Sequence, residues 1–342
     1  MQQSALKYFV CPVTKHPLKL LNAVCDGDKI IKGSLLGGQR QYHIEDGIPS
    51  FAPQDILENQ TVRSFTDKWN YHKYYREHTD KFYSEWYLDR YSLEGVHGLR
   101  DLLEDCRFVL DVGTGSGRDA VNFANNSSAM VFALDTAREA LLTTNRDIGN
   151  PRLIPIHADA SQVPFPDNFF DFINCDQVIH HLPDPQLAFE KLGRTLKPGG
   201  QICCYVYRRK AIPREYIDDY VREKLSQLPF KEAQTICEGF TQLGRALSKL
   251  DVEITIEKDI EILDIARGTY PLQRFFHYNI MKCFWNEEFD FFTNNVVNVD
   301  WYHPEYCYRY EPDQFLAWFD TGWEIQSWDV REAGISCRAK KV

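Results

Sequence analysis

At 342 residues the chain exceeds one modal domain and is long enough to bury a full hydrophobic core while carrying an appendage or a sizeable insertion. Its formal net charge of -10 opposes a broad nucleic-acid footprint, which depends on Lys and Arg releasing counterions from phosphates, so no nucleic-acid partner is expected. The ten cysteines form no C-x-x-C pair, no apolar run is long enough to span a bilayer, and the N-terminus is unlike a signal peptide; the expectation is a cytoplasmic protein with reduced thiols and no membrane partner.

Residues 1–53 alternate short strand-like runs with turns and end on Asp46-Gly47-Ile48-Pro49, which predicts a small β unit. Over 54–100 aromatic residues (Phe65, Trp69, Tyr75, Phe82, Trp86, Tyr91) crowd among charges with no period of two, which predicts a helical cap packed on the next domain. Within 101–207, strands at 108–112, 130–134, 153–156, 170–175 and 202–207 alternate with helices after Gly117, through Leu142 and from Pro185. That alternation predicts a parallel sheet covered on both faces, a doubly wound α/β core. Residues 208–300 read as a mainly helical insertion, too long for a plain connection. The rest, 301–342, reads as a last helix at 312–321 and a closing hairpin of 323–330 with 334–340.

The strongest chemical signal is Val109-Leu110-Asp111-Val112-Gly113-Thr114-Gly115-Ser116-Gly117, an apolar strand running into three alternate glycines and then a helix. Glycines let the backbone turn sharply and approach a ligand beside a helix N-terminus, although such a turn also serves packing alone. Asp135 closes the second strand, where a carboxylate can accept hydrogen bonds from both ribose hydroxyls; its other reading is the N-cap of the helix that follows. Asp159-Ala160 after the third strand suits the edge of adenine or an ordinary turn. The run from Asp171 to Asp176, Gln177, Val178, Ile179, His180 and His181 puts polar groups just beyond the fourth strand, at the carboxyl edge where open α/β sheets bind ligands. The G-x-G-x-G spacing disfavours a dinucleotide, whose pyrophosphate prefers G-x-G-x-x-G.

Asp111 to Gly117, Asp135, Asp159-Ala160, Pro164-Phe165-Pro166, Phe170-Asp171 and Leu196-Lys197-Pro198-Gly199-Gly200 together resemble the class I S-adenosylmethionine-dependent methyltransferases, particularly the quinone-biosynthesis branch, over about 100–207. The resemblance implies a seven-stranded Rossmann-like sheet with an antiparallel last strand and S-adenosyl-L-methionine as cofactor. It places cofactor contacts at Asp111, Gly113, Thr114, Gly115, Gly117, Asp135, Thr136, Asp159, Ala160 and Asp176. Cys11-Pro12-Val13-Thr14-Lys15-His16-Pro17-Leu18 with Asp46 to Pro49 resembles small zinc-ribbon-like modules that accompany such enzymes. Thr14 stands where a second cysteine would sit, so no metal is expected.

Methyl transfer is an in-line displacement, and the protein's part is chiefly alignment and exclusion of water. A hydroxyl acceptor also needs a base, for which His180 is the first candidate and His303 the second. His181, Tyr207, Arg208, Tyr302 and Tyr308 are candidate contacts to a small-molecule or sugar-derived substrate, since aromatic faces suit rings; each also suits an ordinary core. Trp301-Tyr302-His303-Pro304-Glu305-Tyr306 with Tyr308-Arg309-Tyr310 resembles a segment of methyltransferases found alongside sugar and polysaccharide biosynthesis. Methylation of RNA or protein, and a non-catalytic protein of the same fold, are the rival readings. Asp135→Ala is expected to weaken cofactor binding while leaving the fold intact.

Overall fold

The computed structural model describes residues 1–72, 74–147 and 150–342. The chain begins with an antiparallel meander of β1 (Lys19–Asp26), β2 (Lys29–Gly37), β3 (Arg40–Glu45) and β4 (Ile48–Ser50). Helices α1 (Gln54–Leu57), α2 (Gln60–Tyr71), α3 (Tyr75–Arg90) and α4 (Gly95–Leu103) follow. The core then alternates β5 (Phe108–Val112), α5 (Arg118–Asn126), β6 (Met130–Asp135), α6 (Arg138–Asp147), β7 (Leu153–His157), β8 (Phe170–Cys175), α7 (Pro185–Thr195) and β9 (Leu196–Arg208). Next come α8 (Ile212–Leu225), α9 (Phe230–Lys249), a hairpin of β10 (Glu253–Ile256) and β11 (Gly268–Pro271), α10 (Leu272–Asn279) and α11 (Phe291–Tyr302). The chain closes with β12 (Arg309–Tyr310), α12 (Pro312–Leu316), β13 (Trp323–Val330) and β14 (Gly334–Lys341).

The central sheet runs β7-β6-β5-β8-β9-β14-β13, with β14 antiparallel to β9. Strands β5, β6 and β7 are apolar and buried almost throughout, as strands covered on both faces must be. The order reverses between β5 and β8, which leaves a crevice at their carboxyl ends. Local rules place the helices as well. Asp184 accepts the Leu187 N–H at 3.0 Å to cap α7, with Pro185 in its first turn, where a missing N–H costs nothing. No helix among the described residues is long and apolar enough to cross a membrane.

The N-terminal β unit is not separate from the core. Its β4 pairs in parallel with β7 through Ser50 and His157, which continues the sheet past its expected edge. His157 clamps the junction: Nδ1 lies 2.7 Å from Ser50 Oγ and Nε2 3.0 Å from the Thr136 carbonyl oxygen. Phe9 and Phe51, too few to make a core of their own, pack on the sheet's aromatic cluster around Phe132 and Phe165. The insertion is mainly helical, as its pattern predicts, except for the β10–β11 hairpin, and it ends with α11 at Tyr302.

Phe132 is fully buried and joins the rings of both parts. Phe132→Ala should cost about 3–5 kcal/mol. Its denaturation, followed by near-ultraviolet circular dichroism and by proteolysis within residues 1–53, should remain one transition. Loss of the N-terminal unit well before the core would contradict this packing.

Candidate active site

The crevice opens into one cavity of about 840 Å³ that runs from the glycine turn to the insertion. At the turn, Gly113 (φ 65°) and Gly115 (φ 53°) take left-handed conformations. A Cβ on Gly113 would lie 2.3 Å from Val178 Cγ2, and one on Gly115 would lie 2.5 Å from the indole of Trp69, so neither position tolerates a side chain. Gly117 begins α5 against Thr144 and is not on the cavity wall; it shapes the turn from behind.

The acids that close the strands lie along one side of the cavity, with Thr136 and Ala160 beside them. Asp111 accepts from Thr114 Oγ1 at 2.6 Å and from Asn174 Nδ2 at 2.7 Å, and burial, then nearby Asp119, raise its carboxyl above the ordinary range. Asp135 accepts the Gly115 N–H and the Ala137 N–H, each at 2.7 Å. It therefore pins the glycine turn as well as the start of α6. Two backbone bonds leave about half of a carboxylate's acceptor capacity for a ligand. The expectation that Asp135→Ala leaves the fold intact needs correction, because two buried N–H groups would lose their partner at about 1–3 kcal/mol each. Asp159 accepts the Ser161 N–H at 2.8 Å and so also serves as the turn aspartate. Asp176 is buried in an ion pair with Arg90 and accepts the Tyr91 hydroxyl at 2.9 Å.

Beyond these acids the wall is aromatic and then cationic. Phe65, Trp69, Tyr75, Phe82, Tyr83 and Trp86 come from α2 and α3. Lys68 pairs with Asp300 at 2.5 Å and so ties α2 to α11. From β9 and the insertion come Tyr207, Arg208, Lys210, Arg214, His277 and Lys282. Burial foremost, then Arg214, lowers the Lys282 ammonium to about 7.

The two adjacent histidines part company. His181 lines the cavity, and its Nδ1 lies 2.7 Å from the Tyr306 carbonyl oxygen, which makes Nδ1 the donor and leaves the Nε2 lone pair. Burial, only partly opposed by that bond, lowers this imidazole to about 4, so it is neutral at physiological pH. His180 is fully buried among the rings of His181, Tyr205 and Tyr207 and is not on the cavity wall. His303 is also away from it: Nδ1 lies 2.7 Å from Ser64 Oγ and Nε2 3.1 Å from the Leu228 carbonyl oxygen, a clasp between α2 and the insertion. Tyr302 is buried and donates to Asp218 at 2.9 Å. Tyr308 lies on the outer face and donates to the Pro183 carbonyl at 3.3 Å. Sequence reasoning missed Arg90, Lys210, Arg214 and Lys282; only Lys282, a lone charge within Ile280-Met281-Lys282-Cys283-Phe284-Trp285, carries a local signal.

Residues 110–204 match the family described as methyltransferase domain. The chain is 34% identical over 137 residues to an uncharacterized methyltransferase of Schizosaccharomyces pombe, covering 35% of this chain and 48% of that protein. It is 30% identical over 108 residues to a demethylmenaquinone methyltransferase of Staphylococcus aureus, covering 31% of this chain and 45% of that protein. The chain thus spans less than half the length of these curated relatives. Among solved structures it is similar to a SAM-dependent methyltransferase from Aquifex aeolicus, at 16% identity, 75% coverage of this chain, 92% of that one, and a TM-score of 0.40. The sheet order with its antiparallel β14 is Rossmann-like, and the stretch that carries the glycine turn is the one that matches the methyltransferase domain.

Lys282 gives the site a pH signature. The unfolded chain holds its proton up to the ordinary value of 10.5, whereas the folded chain releases it near 7. Unfolding between these values takes up a proton, so the contribution of Lys282 to stability rises with pH across that window. Denaturant titrations from pH 7 to 10 should show the native protein gaining stability relative to Lys282→Met; a constant difference would contradict it.

Proposed function

We propose that the protein transfers a methyl group from S-adenosylmethionine to an O or N atom of a small-molecule or sugar-derived acceptor. The observation that carries this reading is the single cavity joining the glycine turn and its acids to the aromatic and cationic wall. The residues present fit the cofactor: Gly113 and Gly115 have no room for a Cβ, and Asp135 keeps acceptor capacity for ribose hydroxyls. Asp159 and Ala160, which line the same cavity, would hold the base, with Asp111 and Thr114 beside the turn. S-adenosylmethionine supplies, when bound, an electrophilic methyl carbon on a sulfonium.

The chain's own residues bind, orient and exclude water. Tyr75, Tyr83, Trp86 and Tyr207 line the acceptor side, where aromatic rings suit packing against an acceptor. The neutral His181 offers Nε2 as a hydrogen-bond acceptor; a group lowered to about 4 is a weak base, and its part is to orient the acceptor atom. The enclosing helices α2 and α3 and the insertion suit a small molecule better than a nucleic-acid duplex. Well-oriented reactants can supply about 7–11 kcal/mol of a barrier.

Thermal unfolding with S-adenosylhomocysteine and NAD, compared in the native protein and in Gly115→Val, tests this reading. The sulfur nucleoside at about 100 times its dissociation constant should add roughly 2.7 kcal/mol to the native protein. NAD should add nothing, and the variant should lose the gain. Equal shifts in the variant, or stabilisation by NAD alone, would overturn the proposal.

A further inference from the structure

We propose that the acceptor carries a doubly charged oxyanion of the phosphate-monoester class, held by Lys210, Arg214 and Lys282 on the insertion side of the cavity; this rests on the methyl-transfer reading. All three residues line the cavity and are at least nine-tenths buried, and they come from two separate stretches of chain, Lys210 with Arg214 at the start of the insertion and Lys282 near its end. Buried charges are ordinarily paired, because leaving water uncompensated is costly. Here the pairing is incomplete. Arg214 Nε donates to Asp218 at 2.9 Å and Nη1 to the His277 carbonyl, which leaves Nη2 without a hydrogen bond among the described residues. Lys210 Nζ donates to the carbonyls of Arg208 at 2.6 Å and Ala333 at 2.9 Å, so one of its three donors is unused. Lys282 Nζ has no hydrogen-bond or ion-pair partner among the described residues and rests 4.7 Å from the centre of the Trp301 ring.

The carboxylates that could neutralise these ammonium groups are engaged elsewhere. Asp218 accepts from Arg214, the Trp301 indole at 2.6 Å, Tyr302 at 2.9 Å and the backbone N–H of Lys282 at 3.1 Å. Glu215 pairs with Arg309 at 2.8 Å, Asp300 with Lys68 at 2.5 Å, and Glu332 with Arg274. With both lysines protonated, three cations around one committed carboxylate leave two positive charges, which a dianion would offset fully and a monoanion by half. The tetrahedral oxygens of a phosphoryl group also match donors converging from several directions. The lowered lysine ammoniums are the same imbalance seen without a ligand.

The test uses the full chain at pH 7 with inorganic phosphate, sulfate and acetate as probes, and S-adenosylhomocysteine measured in parallel. Phosphate and sulfate should raise the melting temperature and bind at least tenfold more tightly than acetate. Lys282→Met should melt at or above the native protein, since it removes an uncompensated buried charge, and should keep S-adenosylhomocysteine affinity within twofold while losing at least tenfold in phosphate affinity. Lys210→Met should repeat the phosphate loss should the first variant not fold. Unchanged phosphate affinity in the folded variants, or no phosphate or sulfate binding by the native protein, would overturn the inference. Failure of S-adenosylhomocysteine to bind would instead sink the methyl-transfer reading, with the phosphate measurements still standing on their own.

Discussion

The site depends on a short chain of buried hydrogen bonds that passes through Asn174. The Tyr87 hydroxyl on α3 donates to Asn174 Oδ1 at 3.0 Å, Asn174 Nδ2 donates to Asp111 at 2.7 Å, and Thr114 Oγ1 closes the series on the other oxygen of Asp111. One network thus joins the cap, β8, β5 and the glycine turn. Satisfied buried networks of this kind specify one arrangement, because breaking any member leaves a polar group unpaired in a dry interior. The adjoining Arg90–Asp176 pair holds the end of α3 over the carboxyl edge of β8; Arg90 Nε and Nη1 have no hydrogen-bond partner among the described residues, and the guanidinium lies 4.0 Å from the centre of the Trp86 ring.

The cavity inherits its two-sided character from this arrangement. Strands β5 to β7 end in carboxylates and a glycine turn whose backbone donors are partly engaged by Asp135. The opposite wall is assembled from α2, α3 and the insertion, which Lys68 with Asp300 and His303 with Ser64 draw together. A donor site built on sheet edges is geometrically rigid. A wall built from separate helices can differ among proteins that share the sheet, and the matched domain, 110–204, does not include those helices.

The sheet and the glycine-turn side of the cavity were legible because their signals are local: continuous apolar strands alternating with helices, three alternate glycines, and acids at or just beyond the strand ends. Asp135 and Asp159 each carried two readings; the backbone-capping reading is seen, and a carboxylate keeps lone pairs enough for the ligand reading as well. The acceptor side was hardly legible. Lys282 meets Lys210 and Arg214 across about seventy residues of sequence, and no spacing rule connects it to them. His180 and His181 are neighbours on one tight turn, and only the three-dimensional path decides that one reaches the cavity while the other supports Tyr207. The N-terminal unit read as an appendage because its strands are short, whereas its few aromatics depend on the core sheet for burial.

The most direct measurement is a crystal structure of the full chain with S-adenosylhomocysteine. The account requires the ribose hydroxyls on Asp135, the amino-acid portion at the turn from Gly113 to Gly115, and the sulfur facing the aromatic and cationic wall. A nucleoside bound elsewhere, or one whose sulfur is sealed from that wall, would contradict it.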